Sequence, residues 1–486
     1  MGEEARSGIG GGEREGTTLW TRRSYLRAAV AFFGLGAGAA RGLAPPASLG
    51  ERAREYLADL IRLDTSNPPG NETRVAQYLS GVAQAHGIEN ELVGDDPERL
   101  NFVARVRGSG RERPLLLMAH SDVVPAERAN WSVDPFGGIE REGVLYGRGA
   151  EDTKDLLAAE LAVLVELKRR GVKLKRDVIL LAEADEEVHS RGMRWMVENA
   201  WEKIDAAFAI NEGGAITRTK GGLRIYRIQT AEKIPTRVRL LARGTAGHGA
   251  VPRPDNAVVR LARALVRLAD ADQPVLVNPT ARTYLRRMSA LDGYGWLIPL
   301  LGRLENPATA QQAANQIRAH DPELDTFLRT TVSPTILRAG QQSNVIPTAA
   351  EAVVDVRRLP EESKEEVLAR LRKLVNDSAV EVWPLEGPEM PPAPSSPLDS
   401  ELYLAMERII RLEDPKAVVV PYLSRGASDS AFLRAKGVAA YGAALFEVEK
   451  EGDRSHGNDE RRSLENLRQG TELLYQIVTA VAGEAE

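Results

Sequence analysis

Three short runs of the chain are apolar at every position: Leu115–Met118, Val178–Leu181 and Phe208–Ile210. A strand with one wet face alternates apolar and polar residues. A run that is apolar throughout is covered on both faces, as in a parallel sheet with helices above and below it. Stretches of helical period lie between the runs: Asp155–Arg170, strongly amphipathic, and Arg191–Ala200. Strands alternating with helices predict an α/β layer with a mostly parallel sheet. Open α/β sheets place their sites at strand ends, so the residues that follow the three runs are the ones to inspect.

Those residues are acids and a histidine. The first run leads into His120-Ser121-Asp122, the second into Glu183-Ala184-Asp185-Glu186-Glu187, and the third into Asn211-Glu212-Gly213-Gly214. Between the first two strands, Gly147–Lys154 carries Asp152 at the start of the long helix. A second histidine, His456, sits near the C-terminus in the loop Ser455–Glu460. Taken singly, each cluster has a plain structural reading: a strand-end histidine, a helix cap, a solvated loop, a turn. Taken together, carboxylates gathered at one sheet edge repel each other unless a cation compensates them. The 486 residues include no cysteine and only six histidines, His86, His120, His189, His248, His320 and His456. Disulfides, thiol nucleophiles and Cys-ligated metals are therefore excluded, and any metal must be held by His, Asp and Glu. That donor set suits one or two divalent ions of the zinc type.

The rest of the chain divides around this unit. Helical periodicity marks Glu51–Leu63 and a second helix ends near His86, after the turn Ser66–Gly70. Asn101–Val106 reads as a further strand. From about Thr236 the texture changes to an alternating strand, a helix capped by Pro254-Asp255-Asn256, a polar helical stretch over about 280–330, strands Thr331–Leu337 and Glu351–Val356, and a helix Ser363–Val375. This predicts a smaller α+β unit, residues 236–385, inserted between the two parts of a larger domain, 48–235 and 386–486. The Pro- and Ser-rich run Pro388–Pro397 marks the return. Helix Leu398–Leu412, strands Ala417–Val420 and Val438–Leu445, and a terminal helix Leu464–Ala482 complete the larger domain.

Residues 1–44 read as an address. A Gly- and charge-rich tail leads to Arg22-Arg23, and the mildly apolar run Ala28–Ala40 follows. That pattern is a twin-arginine export signal, with Gly38-Ala39-Ala40 or Gly42-Leu43-Ala44 as the cleavage region. The run is shorter than the ~20 apolar residues that span a bilayer. The expected location is periplasmic or extracellular, with an uncleaved membrane anchor as the alternative. The formal net charge is −5 and the body of the chain carries no Lys/Arg block, which argues against a duplex nucleic-acid partner.

At this point the chain resembles a known family, the di-zinc hydrolases that include aminoacylase, carboxypeptidase G, acetylornithine deacetylase and succinyl-diaminopimelate desuccinylase. The resemblance runs in order through His120–Pro125, Gly147–Lys154, Asp185–Glu187, Asn211–Gly213, Gly247–Pro252, Asn344–Pro347, Asp355–Arg357 and His456–Glu460. It implies a catalytic domain with an inserted lid and room for a homodimer through that lid. It implies two metal ions, zinc first, with cobalt or manganese as alternatives. His120 and Glu212 would hold one ion, Glu187 and His456 the other, and Asp152 would bridge them. Asp122 would orient His120, and Glu186 would be the general base. His248, Asn344 and Arg357 would contact substrate from the lid. The sequence departs from the family pattern at His189-Ser190, where glycines are usual, at Asp459, usually Asn, and at Gly249-Ala250, usually serines.

The chemistry read from the residues agrees with this. A metal pair polarises a carbonyl and activates water at neutral pH, and an unligated carboxylate beside it moves the proton. The expected activity is release of an amino acid from an N-acyl amino acid or short peptide. A two-metal phosphoesterase and a non-catalytic binding protein on the same scaffold are the competing readings.

Overall fold

A computed structural model describes residues 47–387 and 389–484. The expected tail and export signal lie outside the described residues. The chain lays down β1 (Glu89–Val93), β2 (Asn101–Val106), β3 (Leu115–His120), β4 (Val178–Glu183), β5 (Phe208–Asn211), β6 (Ala215–Arg218) and β7 (Arg224–Glu232). It then builds a second sheet from β8 (Ile234–Arg243), β9 (Thr331–Ala339), β10 (Ala349–Arg358) and β11 (Val380–Pro384). It returns to the first sheet with β12 (Val418–Ser424) and β13 (Ala439–Gly442). The main sheet runs β1-β2-β4-β3-β5-β13-β7-β12, with β6 beside β7. Its centre, β4-β3-β5-β13, is parallel. The mostly parallel sheet expected from the three apolar runs is present, and the second sheet lies between its two parts in the chain.

The period-2 rule assigns the two faces of the main sheet. Leu115, Leu117 and Leu180 enter one apolar cluster with helices Leu49–Arg62, Lys154–Arg170 and Leu464–Ala482. Leu116, Met118, Ile179 and Leu181 enter the cluster on the other face, with Met193 and Met196 of helix Arg191–Asn199. Helix Leu49–Arg62 forms where it does for local reasons. Ser48 and Glu51 make a capping box, and Ala53, Tyr56, Leu57, Leu60 and Ile61 repeat at the spacing of one buried face.

Helix Lys154–Arg170 departs from the sequence expectation. It reads as amphipathic, yet every residue from Lys154 to Leu167 is buried. Its polar groups go inward because each finds a partner there. Lys154 Nζ donates to the Leu60 and Leu63 carbonyls at 2.9 and 2.8 Å. Arg462 Nε donates to Asp155 at 2.9 Å, and Arg52 and Arg170 pair with Glu166. Glu160 Oε1 accepts the Met118 N–H at 3.1 Å. Pairing of β3 with β5 stops at Leu117–Ile210, so Glu160 takes over a backbone donor as those two strands part. Their C-terminal ends are left apart at the sheet edge, with room for side chains between them.

The second sheet, β9-β10-β8-β11, is antiparallel throughout. Val238, Leu240, Val354 and Val356 face helices Ala257–Asp270 and Lys364–Val375 on one side. The helical stretch 279–328 packs elsewhere. Tyr284, Leu285, Leu300 and Phe327 cover Ile225 and Ala231 of β7 and Val420 and Leu423 of β12. The inserted segment thus supplies a helical cover for the main sheet as well as the lid.

β7 was not anticipated. Arg224, Arg227, Gln229, Thr230 and Glu232 give it the look of a polar loop. In the fold Gln229 donates to Glu232 at 2.8 Å, and Arg434 pairs with Glu232 at 2.7 Å, so the buried Glu232 carboxylate is compensated by a residue 202 positions away.

Candidate metal centre

Because β3, β4 and β5 are parallel, their C-terminal ends lie at one edge, and the groups that follow them converge there. His120 is the last residue of β3 and is buried. Its Nδ1 lies 2.9 Å from the Asp122 carbonyl oxygen, which fixes that nitrogen as the N–H donor. Nε2 then faces Asp152 Oδ1, 3.1 Å away, and Glu212 Oε2, 3.8 Å away. The other oxygen of Asp152 lies 3.1 Å from His456 Nε2, which also stands 3.1 Å from Glu187 Oε2. The ligand atoms of His120, Asp152 and Glu212 lie within 4.8 Å of one another, as do those of Asp152, Glu187 and His456. Asp152 belongs to both groups.

Asp122 meets the imidazole twice, with its backbone carbonyl 2.9 Å and its carboxylate Oδ1 3.6 Å from Nδ1, and the carboxylate also reaches the next loop. Oδ1 accepts the Glu186 N–H at 3.1 Å and Oδ2 the Glu187 N–H at 3.2 Å, and Asn67 Nδ2 donates to Oδ2 at 2.8 Å. Asp122 thereby sets the backbone from which Glu186 and Glu187 diverge. The Glu186 carboxylate takes no part in either three-residue group and makes no hydrogen bond or ion pair among the described residues.

A shell of pairs that sequence reasoning missed holds these loops. Glu460 Oε1 accepts the N–H groups of Glu151 and Asp152 at 2.7 and 3.0 Å, and Arg148 NH1 donates to its Oε2 at 2.5 Å. This ties the C-terminal loop to the Asp152 loop. Asp185, at φ +69°, accepts from Asn67 at 2.8 Å and Arg99 at 3.0 Å. Arg148, Asp185 and Glu460 stand inside the motifs quoted above, while Asn67 showed only as part of a turn. No local pattern announces Arg99. Glycine is needed on the third loop because a Cβ on Gly214 would lie 2.5 Å from the Gly442 carbonyl oxygen. That close approach seats Glu212 against β13.

Electrostatics give the cluster its chemistry. Burial, with Asp152 and Glu187 nearby, pushes the Glu212 carboxyl up to about 8. Burial raises Asp122 to about 6 and lifts Glu186 well above the usual range. Burial also works to raise Asp152, but hydrogen bonds from His120 and His456 overcome it and hold that carboxyl low. Hydrogen bonds to Asp152 and Glu187 raise His456 to about 10. A cation that binds among these groups must displace the protons that burial and mutual repulsion hold there. Two imidazole nitrogens and three carboxylates, with one carboxylate shared, form a donor set for two divalent ions.

The three residues expected to contact substrate from the lid are not gathered. His248 pairs with Val345 in a two-residue ladder, and the Gly249 N–H donates to the Asn344 carbonyl at 2.7 Å. His248 and Asn344 are thus neighbours, both exposed. Arg357 lies toward the other end of the lid sheet, opposite Pro235 and Thr331, with its Nε 3.1 Å from Asp355 Oδ2. His189, by contrast, is an exposed loop residue beside Asp185, and His86 and His320 are exposed as expected.

Comparison with known proteins closes the argument. A model of Peptidase family M20/M25/M40 matches residues 116–480. The chain is 27% identical over 445 residues to the human N-fatty-acyl-amino acid synthase/hydrolase PM20D1, covering 87% of each. A metallo-carboxypeptidase of the M20 family from Sulfolobus solfataricus superposes with a TM-score of 0.64 at 18% identity, over 88% of this chain and 98% of that one. A dinuclear metal-binding peptidase of Bacillus subtilis gives 0.56 at 15% identity, over 89% and 98%. With the ordered motifs and the shared carboxylate at one sheet edge, these findings identify the chain as a member of Peptidase family M20/M25/M40 and a metal-dependent hydrolase of C–N bonds.

Proposed function

We propose that this hydrolase releases an amino acid from an N-acyl amino acid or a short peptide, using two divalent cations. His120, Asp152 and Glu212 would hold one, and Asp152, Glu187 and His456 the other. The observation that carries the reading is Asp152, whose two oxygens each stand 3.1 Å from a different imidazole. Zinc suits these donors, and cobalt or manganese would also be accepted. Bound there, the cations supply polarisation of the amide carbonyl and a lowered pKa for the attacking water. The chain's own residues do the rest. Glu186 has no partner for its carboxylate and is held by its backbone to Asp122. It receives the proton of the attacking water and returns it to the leaving nitrogen. The names of the human relative and the Bacillus subtilis peptidase support this reading.

The amine-side product carries a carboxylate, and Arg357 offers a planar guanidinium for it. Arg357 is part exposed and, among the described residues, pairs only with Asp355, so one side of its fork is available. His248 and Asn344 cannot serve the same small substrate from the same chain. Eight residues of β10 separate Arg357 from Ala349, about 26 Å at ~3.3 Å per residue, and Asn344 lies beyond. We therefore assign His248 to the site of a second copy of the chain. Exposed Val258, Val259 and Val266 on helix Ala257–Asp270 and Ile336 and Leu337 on the edge strand β9 supply an apolar face for it. We also assign the Arg22-Arg23 segment to export.

Four outcomes test these assignments. Glu186→Gln should keep both metals by elemental analysis and lose about 10²–10⁴-fold or more in kcat, whereas Asp152→Ala should lose metal; near-normal turnover of the first excludes Glu186 as the base. Methyl-esterifying the substrate carboxylate should lower kcat/KM by about 10-fold or more in the wild type, as loss of a charged hydrogen bond does, and change little in Arg357→Ala. Mixing inactive Glu186→Gln with inactive His248→Ala should restore part of the activity as the two exchange subunits; no recovery, with dimers shown by light scattering, places His248 outside the partner's site. Replacing Arg22 and Arg23 together by lysine should abolish export, read by cell fractionation, and unchanged delivery would remove the assignment.

A further inference from the structure

The chain first passes from the main sheet to the lid sheet at Lys233, between the last residue of β7, Glu232, and the first of β8, Ile234. The Lys233 N–H donates to the Ser424 carbonyl at the end of β12, 2.9 Å away. On the lid, Pro235 stands opposite Arg357 of β10. Arg425, directly after β12, thus flanks the crossing from the main domain, and Arg357 flanks it from the lid.

The crossing carries a positive potential. Lys233 is 1% exposed, and its Nζ makes one hydrogen bond among the described residues, to the Arg329 carbonyl at 2.9 Å. The charged groups that act on its amine are Asp325, Arg357, Arg425 and Glu362. Both acids have closer partners, Asp325 in Arg329 at 2.8 Å and Glu362 in Arg370 at 2.6 Å. Burial first, and then Arg357 and Arg425, push the amine down to about 7 against the pull of the acids. A potential that opposes the protonation of a buried amine also attracts an anion. Neither guanidinium is closed to one. The Arg357 side chain is 34% exposed beside Asp355. Arg425 is 47% exposed, and its ion pair with Glu323 spans 3.4 Å, with Glu323 72% exposed. Surface pairs of this kind contribute little and give way to a better-placed anion.

The loop that Arg425 opens leads to the metal centre. Ser428 Oγ donates to Glu232 Oε2 at 2.7 Å, and Asn211, next to Glu212, donates to Ser430 Oγ at 3.0 Å. Residues 424–430 therefore run from the crossing to the base of the metal-ligand loop. We propose that Arg425 is a second carboxylate-binding residue, and that the substrate carboxylate is held between Arg425 of the main domain and Arg357 of the lid. The proposal rests on the assignment of Arg357 to that carboxylate and extends it. One carboxylate held from both sides ties the lid to the main domain, and each planar guanidinium has donors to spare for it.

Alanyl-leucine and alanyl-leucinamide differ only in the charge of the terminal group. The zinc-loaded, full-length Glu186→Gln variant, titrated with each by calorimetry, should bind the free acid about 10-fold or more tightly than the amide. Adding Arg425→Gln should lower that preference about 10-fold, and Arg425→Lys should restore part of it, with metal content unchanged. In the active enzyme Arg425→Gln should raise KM for alanyl-leucine about 10-fold and change kcat less than about 2-fold, as loss of uniform binding does. A free-acid preference that survives Arg425→Gln but is lost in Arg357→Ala removes Arg425 from the site and leaves Arg357 in it. Equal binding of acid and amide by the parent overturns both assignments. A fall in metal content or in kcat with the preference intact makes Arg425 a structural residue of its loop and overturns the proposal.

Discussion

The geometry of the site depends on one carboxylate placed between two imidazoles. Asp152 stands 3.1 Å from His120 on one side and 3.1 Å from His456 on the other, and each histidine has a further glutamate. Such a crowd is unfavourable without a cation, because burial and mutual repulsion both favour the neutral acids. The fold therefore has to hold the donors in place against their own electrostatics. It does so with rigid parts: the end of a buried parallel strand for His120, the turn into a largely buried helix for Asp152, and a Gly-Gly turn pressed against β13 for Glu212.

The pairs around the site keep those parts in register. Glu460 accepts two amides of the Asp152 loop and binds Arg148, joining the C-terminal loop of His456 to the loop of the bridging acid. Asp122 divides its groups between two tasks, with its carbonyl on the His120 ring and its carboxylate on the Glu186 and Glu187 amides. One residue thus sets both the tautomer of His120 and the backbone that carries Glu186, the proposed base. Charged groups buried in this way are costly individually, and they persist because each is hydrogen-bonded to a partner from a different segment.

The insertion separates two duties. Its helices 279–328 cover the edge of the main sheet, while its own sheet and two helices form the lid. The lid presents Arg357 at one end and His248 with Asn344 at the other. A ten-residue strand is too long for both ends to serve one small substrate, and the proposed role of a second copy of the chain rests on that length.

The sequence by itself determined the α/β class, the strands that carry the site and the identity of the converging groups. Continuous apolar runs can only be covered strands, and parallel strands must end at one edge, so His120, Glu187 and Glu212 were legible from Leu115–Met118, Val178–Leu181 and Phe208–Ile210. Helix bounds followed from period and caps, as at Leu464–Ala482. Only the tertiary structure decided what became of polar residues. β7 carried no strand signal and helix Lys154–Arg170 read as amphipathic, because their charges are neutralised by residues far away in the chain, such as Arg434 and Arg462. Arg99 was invisible for the same reason, since nothing in its neighbourhood points to Asp185, 86 positions on. Local pattern reports how a segment meets water, whereas a buried charge is decided by its partner, and partners are chosen by the fold.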